Sequence, residues 1–256
     1  MVQRQIEILP EKADLIARAT TIVVAKIANA IAKKDRCTIA LAGGGTPQPL
    51  YESLATQNLP WEKIHFFWGD ERYVPYDHPQ SNQLMARQAL LDRVPIPPQN
   101  IHPMPTDGSS TEADAASYES ELRDFFQSES SQFPQFDLVL LGIGDDGHTA
   151  SLFPHTEVLQ ERTKAIAVGN KSGQPRLTFT VSLINQANCV LFLVAGESKS
   201  EVLPKILTTS SETSIDNNAA DFSYPARLVR PQGELLWLLD RAAASNIPDY
   251  QLSTVS

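Results

Sequence analysis

The chain has 256 residues, of which 42% are hydrophobic, enough to bury one large core or two small ones. Its formal charge of −9 argues against nucleic-acid or anionic-membrane partners, which need a basic surface, but allows a small anionic ligand held by a few convergent Arg and Lys side chains. No uninterrupted run approaches the roughly 18–20 apolar residues of a membrane span, and MVQRQIEILPEKADL lacks the basic-then-apolar order of a secretory signal.

In chain order, Ala13 to Lys33 reads as an amphipathic helix with Leu15, Ile16, Ala19, Ile22, Val23, Ile27, Ala30 and Ile31 on one face. Cys37 to Ala42 is a short apolar strand, followed by a helix starting at Pro47 and carrying Leu50, Tyr51 and Leu54. Lys63 to Trp68 is the next strand, Ser81 to Leu91 a helix, Ile101 the centre of a short strand and Thr111 to Gln127 a capped helix. Asp137 to Leu141 is nearly all apolar, the pattern of a strand covered on both faces. Further strands are expected at Ala165–Val168, Leu177–Val181, Cys189–Ala195, Ala226–Val229 and Leu235–Leu239, with a helix over Ser198–Leu207 and a polar loop over Ser210–Asp221. Strands alternating with helices predict an α/β fold, a mostly parallel doubly wound sheet with helices on both faces, built as one domain over residues 1–256. Cys37 and Cys189, the only cysteines, each open a predicted strand and read as buried free thiols of a cytoplasmic protein. With no CxxC and no HExxH, no metal is expected.

Three strand ends carry the residues that could do chemistry, where open α/β sheets present their ligands. The first is Gly43-Gly44-Gly45-Thr46-Pro47, where glycines allow close backbone approach and Thr46 stands where a helix cap would be. It serves equally as an anion loop or as a tight turn with an ordinary cap. The second, Gly69-Asp70-Glu71-Arg72, is either a solvated surface pair or an arginine aimed at an anion with an aspartate beside it. The third, Gly142-Ile143-Gly144-Asp145-Asp146-Gly147-His148, matches GxGxxG, yet two aspartates would occupy the turn where a pyrophosphate must sit. A dinucleotide site is therefore rejected, and His148 remains as a candidate general base or a satisfied structural histidine. His65, His78 and His102 read as packing or surface residues, and Ser151 lacks the GxSxG elbow of a serine nucleophile.

Taken in series, LAGGGTPQPLYESLA, WEKIHFFWGDERYVPYDHPQSN, FDLVLLGIGDDGHTASLFP, PRLTFT and FLVAGESKSEVL resemble the 6-phosphogluconolactonase family over Leu41 to Leu203. The resemblance implies a cytoplasmic, metal-independent hydrolase, without a cofactor, that opens the small-molecule lactone 6-phospho-D-glucono-1,5-lactone in the pentose phosphate pathway. Carried over by position, His148 would activate water, with Asp70 and Arg72 beside it. Gly44, Gly45 and Thr46, together with Arg176 and Lys199, would hold the 6-phosphate; the last two are singled out only by the resemblance. Glucosamine-6-phosphate deaminases share the fold, but a glutamate follows their histidine by five positions, where this chain has Phe153. A non-catalytic sugar-phosphate-binding regulator would keep the phosphate ligands without needing His148, Asp70 and Arg72. Either Asp146 or Asp70 could fix the tautomer of His148, and either Arg72 or backbone N–H groups could stabilise an oxyanion.

Overall fold

The apolar runs CTIAL, IHFFW, LVLL and CVLFLV become neighbouring strands that are buried almost throughout. The computed structural model describes residues 4–108, 110–129, 132–207 and 222–247. Its elements are β1 (Arg4–Leu9), α1 (Lys12–Lys34), β2 (Cys37–Leu41), α2 (Gln48–Leu54), β3 (Ile64–Trp68), β4 (Asp70–Arg72), α3 (Asn82–Ala89), β5 (Ile101–His102), α4 (Thr111–Phe126), β6 (Leu138–Leu141), β7 (Ile166–Lys171), β8 (Gln174–Phe179), α5 (Val181–Ile184), β9 (Cys189–Val194), α6 (Leu203–Leu207) and β10 (Glu234–Asp240). Seven strands form one parallel sheet in the order β1-β10-β9-β6-β2-β3-β5, as expected for the fold class.

That order contains a switch point. From β2 the chain winds outward through β3 to β5, then returns to β6 and winds the other way through β9 and β10. Loops leaving the carboxyl ends of β2 and β6 therefore diverge and leave a crevice between them. At the opposite end the two strands are clamped. Asp137, just before β6, accepts hydrogen bonds from the Thr38 backbone N–H (2.8 Å) and hydroxyl (2.9 Å), and pairs with Lys34 at 2.8 Å.

A second, three-stranded antiparallel sheet, β4-β8-β7, rises from the end of β3. It corrects the expectation that the strands near residues 165–181 join the main sheet. The hairpin carries Pro175 and a turn through Gly173 at φ 86°, and its exposed end is polar. Other expectations also shift. β1 was not foreseen, because RQIEIL alternates charged and apolar residues as an edge strand does. Ala226–Val229 is not a strand: Pro225 opens a 3-10 turn over Pro225–Leu228, where its missing N–H is harmless. The helix expected over Ser198–Leu207 is only a 3-10 turn, Glu197–Lys199, followed by α6. The Ser210–Asp221 loop lies outside the described residues.

By length and hydropathy, α1 would pass for a membrane span, despite the sequence expectation that no run does. Its packing gives another account of that apolar character: Leu15, Ile16, Ala19, Val23, Ile27 and Ala30 form one stripe in the core beneath α1. Arg18 on another face pairs with Glu7 at 2.8 Å. Cys37 and Cys189 are buried free thiols, and burial pushes the Cys189 thiol up to about 12, so neither is poised for reaction.

Candidate active site

All eight residues singled out from the sequence, His148, Asp70, Arg72, Gly44, Gly45, Thr46, Arg176 and Lys199, line one cavity of about 330 Å³ at the switch point. Its size and position are those of a small-molecule site. Each wall has a local reason for its shape.

The glycine loop hangs from the end of β2. Tyr51 of α2 fixes that end by donating to the Ala42 carbonyl (2.8 Å) and accepting from its N–H (2.9 Å). Gly44 then adopts φ 98°, and added Cβ atoms at Gly44 or Gly45 would meet nothing within 4 Å, so this backbone faces open space. Thr46 is not the helix cap. Pro47 occupies that position, which leaves the Thr46 side chain uncommitted to α2. Beneath the loop, Asn82 sits so close to Gly43 that a Cβ there would lie 1.9 Å from its Oδ1.

Asp70, Glu71 and Arg72 form β4, and they divide into separate roles. Glu71 is 2% exposed and points away from the cavity. It accepts from the N–H groups of Arg72, Asn82 and Gln83, each at 2.8 Å, and from the Ser81 hydroxyl at 3.1 Å. Burial raises the Glu71 carboxyl, opposed by the three backbone donors. It ties β4 to the start of α3. Asp70 is nearly buried and accepts from the Ser151 hydroxyl at 2.8 Å. Ser151 is itself fully buried, with its N–H on the Thr178 hydroxyl at 3.1 Å. A serine with its proton committed to a carboxylate and no access to solvent is not a nucleophile.

Arg72 stands directly opposite Arg176 across β4 and β8. Like charges at such a position repel. Burial lowers the Arg176 pKa, and the Arg72 charge lowers it further. The Nε atoms of both arginines are buried without a hydrogen-bond partner, while Arg72 reaches the Gln80 carbonyl through Nη1 at 2.6 Å. A pair of crowded, under-satisfied guanidinium groups on a cavity wall is suited to an anion.

The loop after β6 is folded on itself, with the Gly144 N–H on the His148 carbonyl (2.8 Å) and the Gly147 N–H on the Gly144 carbonyl (3.1 Å). Gly144 has no room for a side chain, because a Cβ would lie 2.0 Å from His148 Nδ1. Of the two carboxylates left open by the sequence, it is Asp146 that contacts the imidazole, through Oδ1 at 2.5 Å from Nδ1; the same oxygen accepts the His148 N–H at 3.1 Å. With Nδ1–H donated to Asp146, Nε2 carries the lone pair. The ring packs on Phe153, centroid to centroid 4.6 Å. Thus an aromatic ring touches the histidine at the position where the deaminase pattern requires a glutamate. Burial lowers the His148 pKa, and the hydrogen bond and charge of Asp146 oppose it. Asp146 is itself held below the usual carboxylate range, because His148 outweighs the effect of burial.

Two charged residues escaped the sequence reading. Lys171, at the end of β7, lines the cavity and lies 5.7 Å from the centre of the Phe153 ring. Asp145 pairs with Lys199. Lys199 is placed by the turn after β9, where the Gly196 N–H sits between both oxygens of buried Asp240, 3.0 Å from each. Lys171 carries no motif that would mark it; Asp145 was visible only as the first half of an Asp-Asp pair.

Comparison with known proteins agrees with this fold. A family profile described as glucosamine-6-phosphate isomerases/6-phosphogluconolactonase matches residues 10–237. A 6-phosphogluconolactonase of Synechocystis sp. is 57% identical over 243 residues, covering 95% of this chain and 98% of that protein. One from Nostoc sp. is 52% identical, covering 96% and 99%. The solved structure of 6-phosphogluconolactonase from Trypanosoma brucei superposes with a TM-score of 0.83 at 31% identity, over 97% of this chain and 100% of that one. Fold, cavity and these matches along most of the sequence place the chain in the glucosamine-6-phosphate isomerase/6-phosphogluconolactonase family.

Proposed function

We propose that this protein is a 6-phosphogluconolactonase, hydrolysing 6-phospho-D-glucono-1,5-lactone to 6-phosphogluconate. The observation that carries this reading over the family's isomerase chemistry is the His148 environment: Asp146 on Nδ1 and Phe153, not a carboxylate, against the ring. A lactone needs one activated water and one proton returned to the leaving oxygen, which a single imidazole can supply. Deamination with ring opening needs further proton-transfer groups.

In this mechanism Nε2 of neutral His148 takes a proton from water as it attacks C1. Arg72 stabilises the oxyanion that forms on the carbonyl oxygen. The C1–ring oxygen bond then breaks, and the imidazolium returns the proton to the departing oxygen. Asp146 holds the ring in one tautomer, and the Asp70 charge supports the transient imidazolium. Thr46, Gly44 and Gly45, with Arg176 and Lys199, hold the 6-phosphate, so that binding energy remote from C1 is spent on orientation.

The test is hydrolysis of freshly generated 6-phosphogluconolactone, corrected for spontaneous opening, beside turnover of glucosamine 6-phosphate. Acceleration of the first and none of the second is expected. Deamination, or binding of sugar phosphate without turnover of either, would overturn the proposal.

A further inference from the structure

Asp145 and Asp146 are adjacent, yet their side chains serve different partners. Asp146 turns to the imidazole, whereas Asp145 pairs with the Lys199 ammonium on the far wall of the same cavity. The two ends of that pair differ in exposure: the Lys199 side chain is 19% exposed and that of Asp145 71%. The ammonium that faces the ligand space is thus already neutralised, by a carboxylate that remains largely in water.

We propose that Asp145 is the resident counter-ion of Lys199, holding its ammonium at the cavity wall until a phosphate dianion displaces it, and so setting the affinity of the site for phosphorylated ligands. This inference rests on the reading of Lys199 as a phosphate ligand. The exchange is physically easy in one direction. An exposed ion pair is weak, and a carboxylate already mostly hydrated gives up little on leaving. A phosphate dianion brings twice the charge and can also engage Thr46 and Arg176. The Lys199 hydrogen bond holds the Asp145 carboxyl below its ordinary range, consistent with an ionised competitor at neutral pH. Asp145 is therefore a residue that tunes affinity, and the base and its partner need not change for it to act.

The experiment is calorimetric titration of inorganic phosphate and of 6-phosphogluconate into the wild type, Asp145→Asn, Asp145→Glu, Lys199→Ala and the Asp145→Asn/Lys199→Ala double variant. At low ionic strength Asp145→Asn should bind both ligands about three-fold tighter, the scale of an exposed ion pair, and salt should shrink the gain. Asp145→Glu, which keeps the charge, should bind as the wild type does. The gain should vanish when Lys199 is absent. Unchanged or weaker binding by Asp145→Asn, or a gain that survives without Lys199, would overturn the proposal. If Lys199→Ala binds phosphate as the wild type does, the phosphate-ligand reading itself is wrong. If Lys199→Ala weakens binding while Asp145→Asn fails to tighten it, only the counter-ion role is lost.

Discussion

Replacing Glu71 separates architecture from chemistry in the Asp-Glu-Arg segment. Its carboxylate accepts four hydrogen bonds in a site that is 2% exposed, three from backbone N–H groups and one from Ser81. Glu71→Ala removes all four and leaves those N–H groups facing a hole, which should cost about 3–5 kcal/mol. For a domain of this size that is a fall in Tm on the order of 10 °C. Glu71→Gln keeps one oxygen, for Arg72 and Asn82, and sets an amide NH2 against the Gln83 N–H, while the Ser81 hydroxyl can reverse. About 1–3 kcal/mol should be lost. Denaturant unfolding measures both. Because Glu71 fixes β4 against the start of α3, kcat/KM should also fall in Glu71→Ala as Arg72 loses its setting. Stability within about 1 kcal/mol of wild type for Glu71→Ala would refute the reasoning. Loss of turnover at unchanged stability would instead make Glu71 part of the chemistry.

Asp146→Asn should lower kcat/KM by about 10- to 100-fold, less than the cost of losing the base itself, since the ring loses its tautomer and orientation but not its nitrogen. Burial lowers the His148 pKa and Asp146 raises it, so the acid limb of the wild-type pH profile should lie below 6.5 and move lower still in Asp146→Asn; an upward shift would contradict the assignment. Ser151→Ala should cut kcat/KM by about ten-fold by freeing a nearly buried Asp70 oxygen, and neither enzyme should show an acyl-enzyme burst in rapid-quench kinetics. His65 is pushed down to about 4 by burial, then by His102 and Arg36. Its folded pKa lies below its unfolded value, so the neutral form is favoured in the fold. That stability is complete above pH 6.5 and should be lost as pH falls from 6.5 towards 4, by on the order of 1–2 kcal/mol after solvent screening. His65→Gln should flatten that slope in unfolding titrations.

The strands that build the crevice were legible because β2, β3, β6 and β9 are covered on both faces, and a continuous apolar run has few other uses. β1 and the β7-β8 hairpin were harder, since an edge strand and a small antiparallel sheet keep polar residues on one side. Glycine-rich strand ends led to the site, and Gly44, Gly45, Thr46, Asp70, Arg72 and His148, drawn from them, all line one cavity. Division of labour within those ends was not legible. Asp70, Glu71 and Arg72 are consecutive in one motif, but strand alternation and the docking of α3 send Glu71 away from the cavity that Asp70 and Arg72 line. The opposition of Arg72 and Arg176 depends on a register between segments about a hundred residues apart. Ser151 looked like a spare hydroxyl near a histidine until its partner, Asp70, was seen across 81 positions of chain.

The central claim is that His148 activates water at a lactone carbonyl, and the most direct measurement is kcat/KM of wild type and His148→Ala on freshly generated 6-phosphogluconolactone, with spontaneous opening subtracted. The account predicts a loss of at least about 100-fold in the variant, the usual contribution of a general base, with the fold intact by circular dichroism. Retention of more than about a tenth of wild-type kcat/KM would contradict it, and the base would have to be sought elsewhere in the cavity.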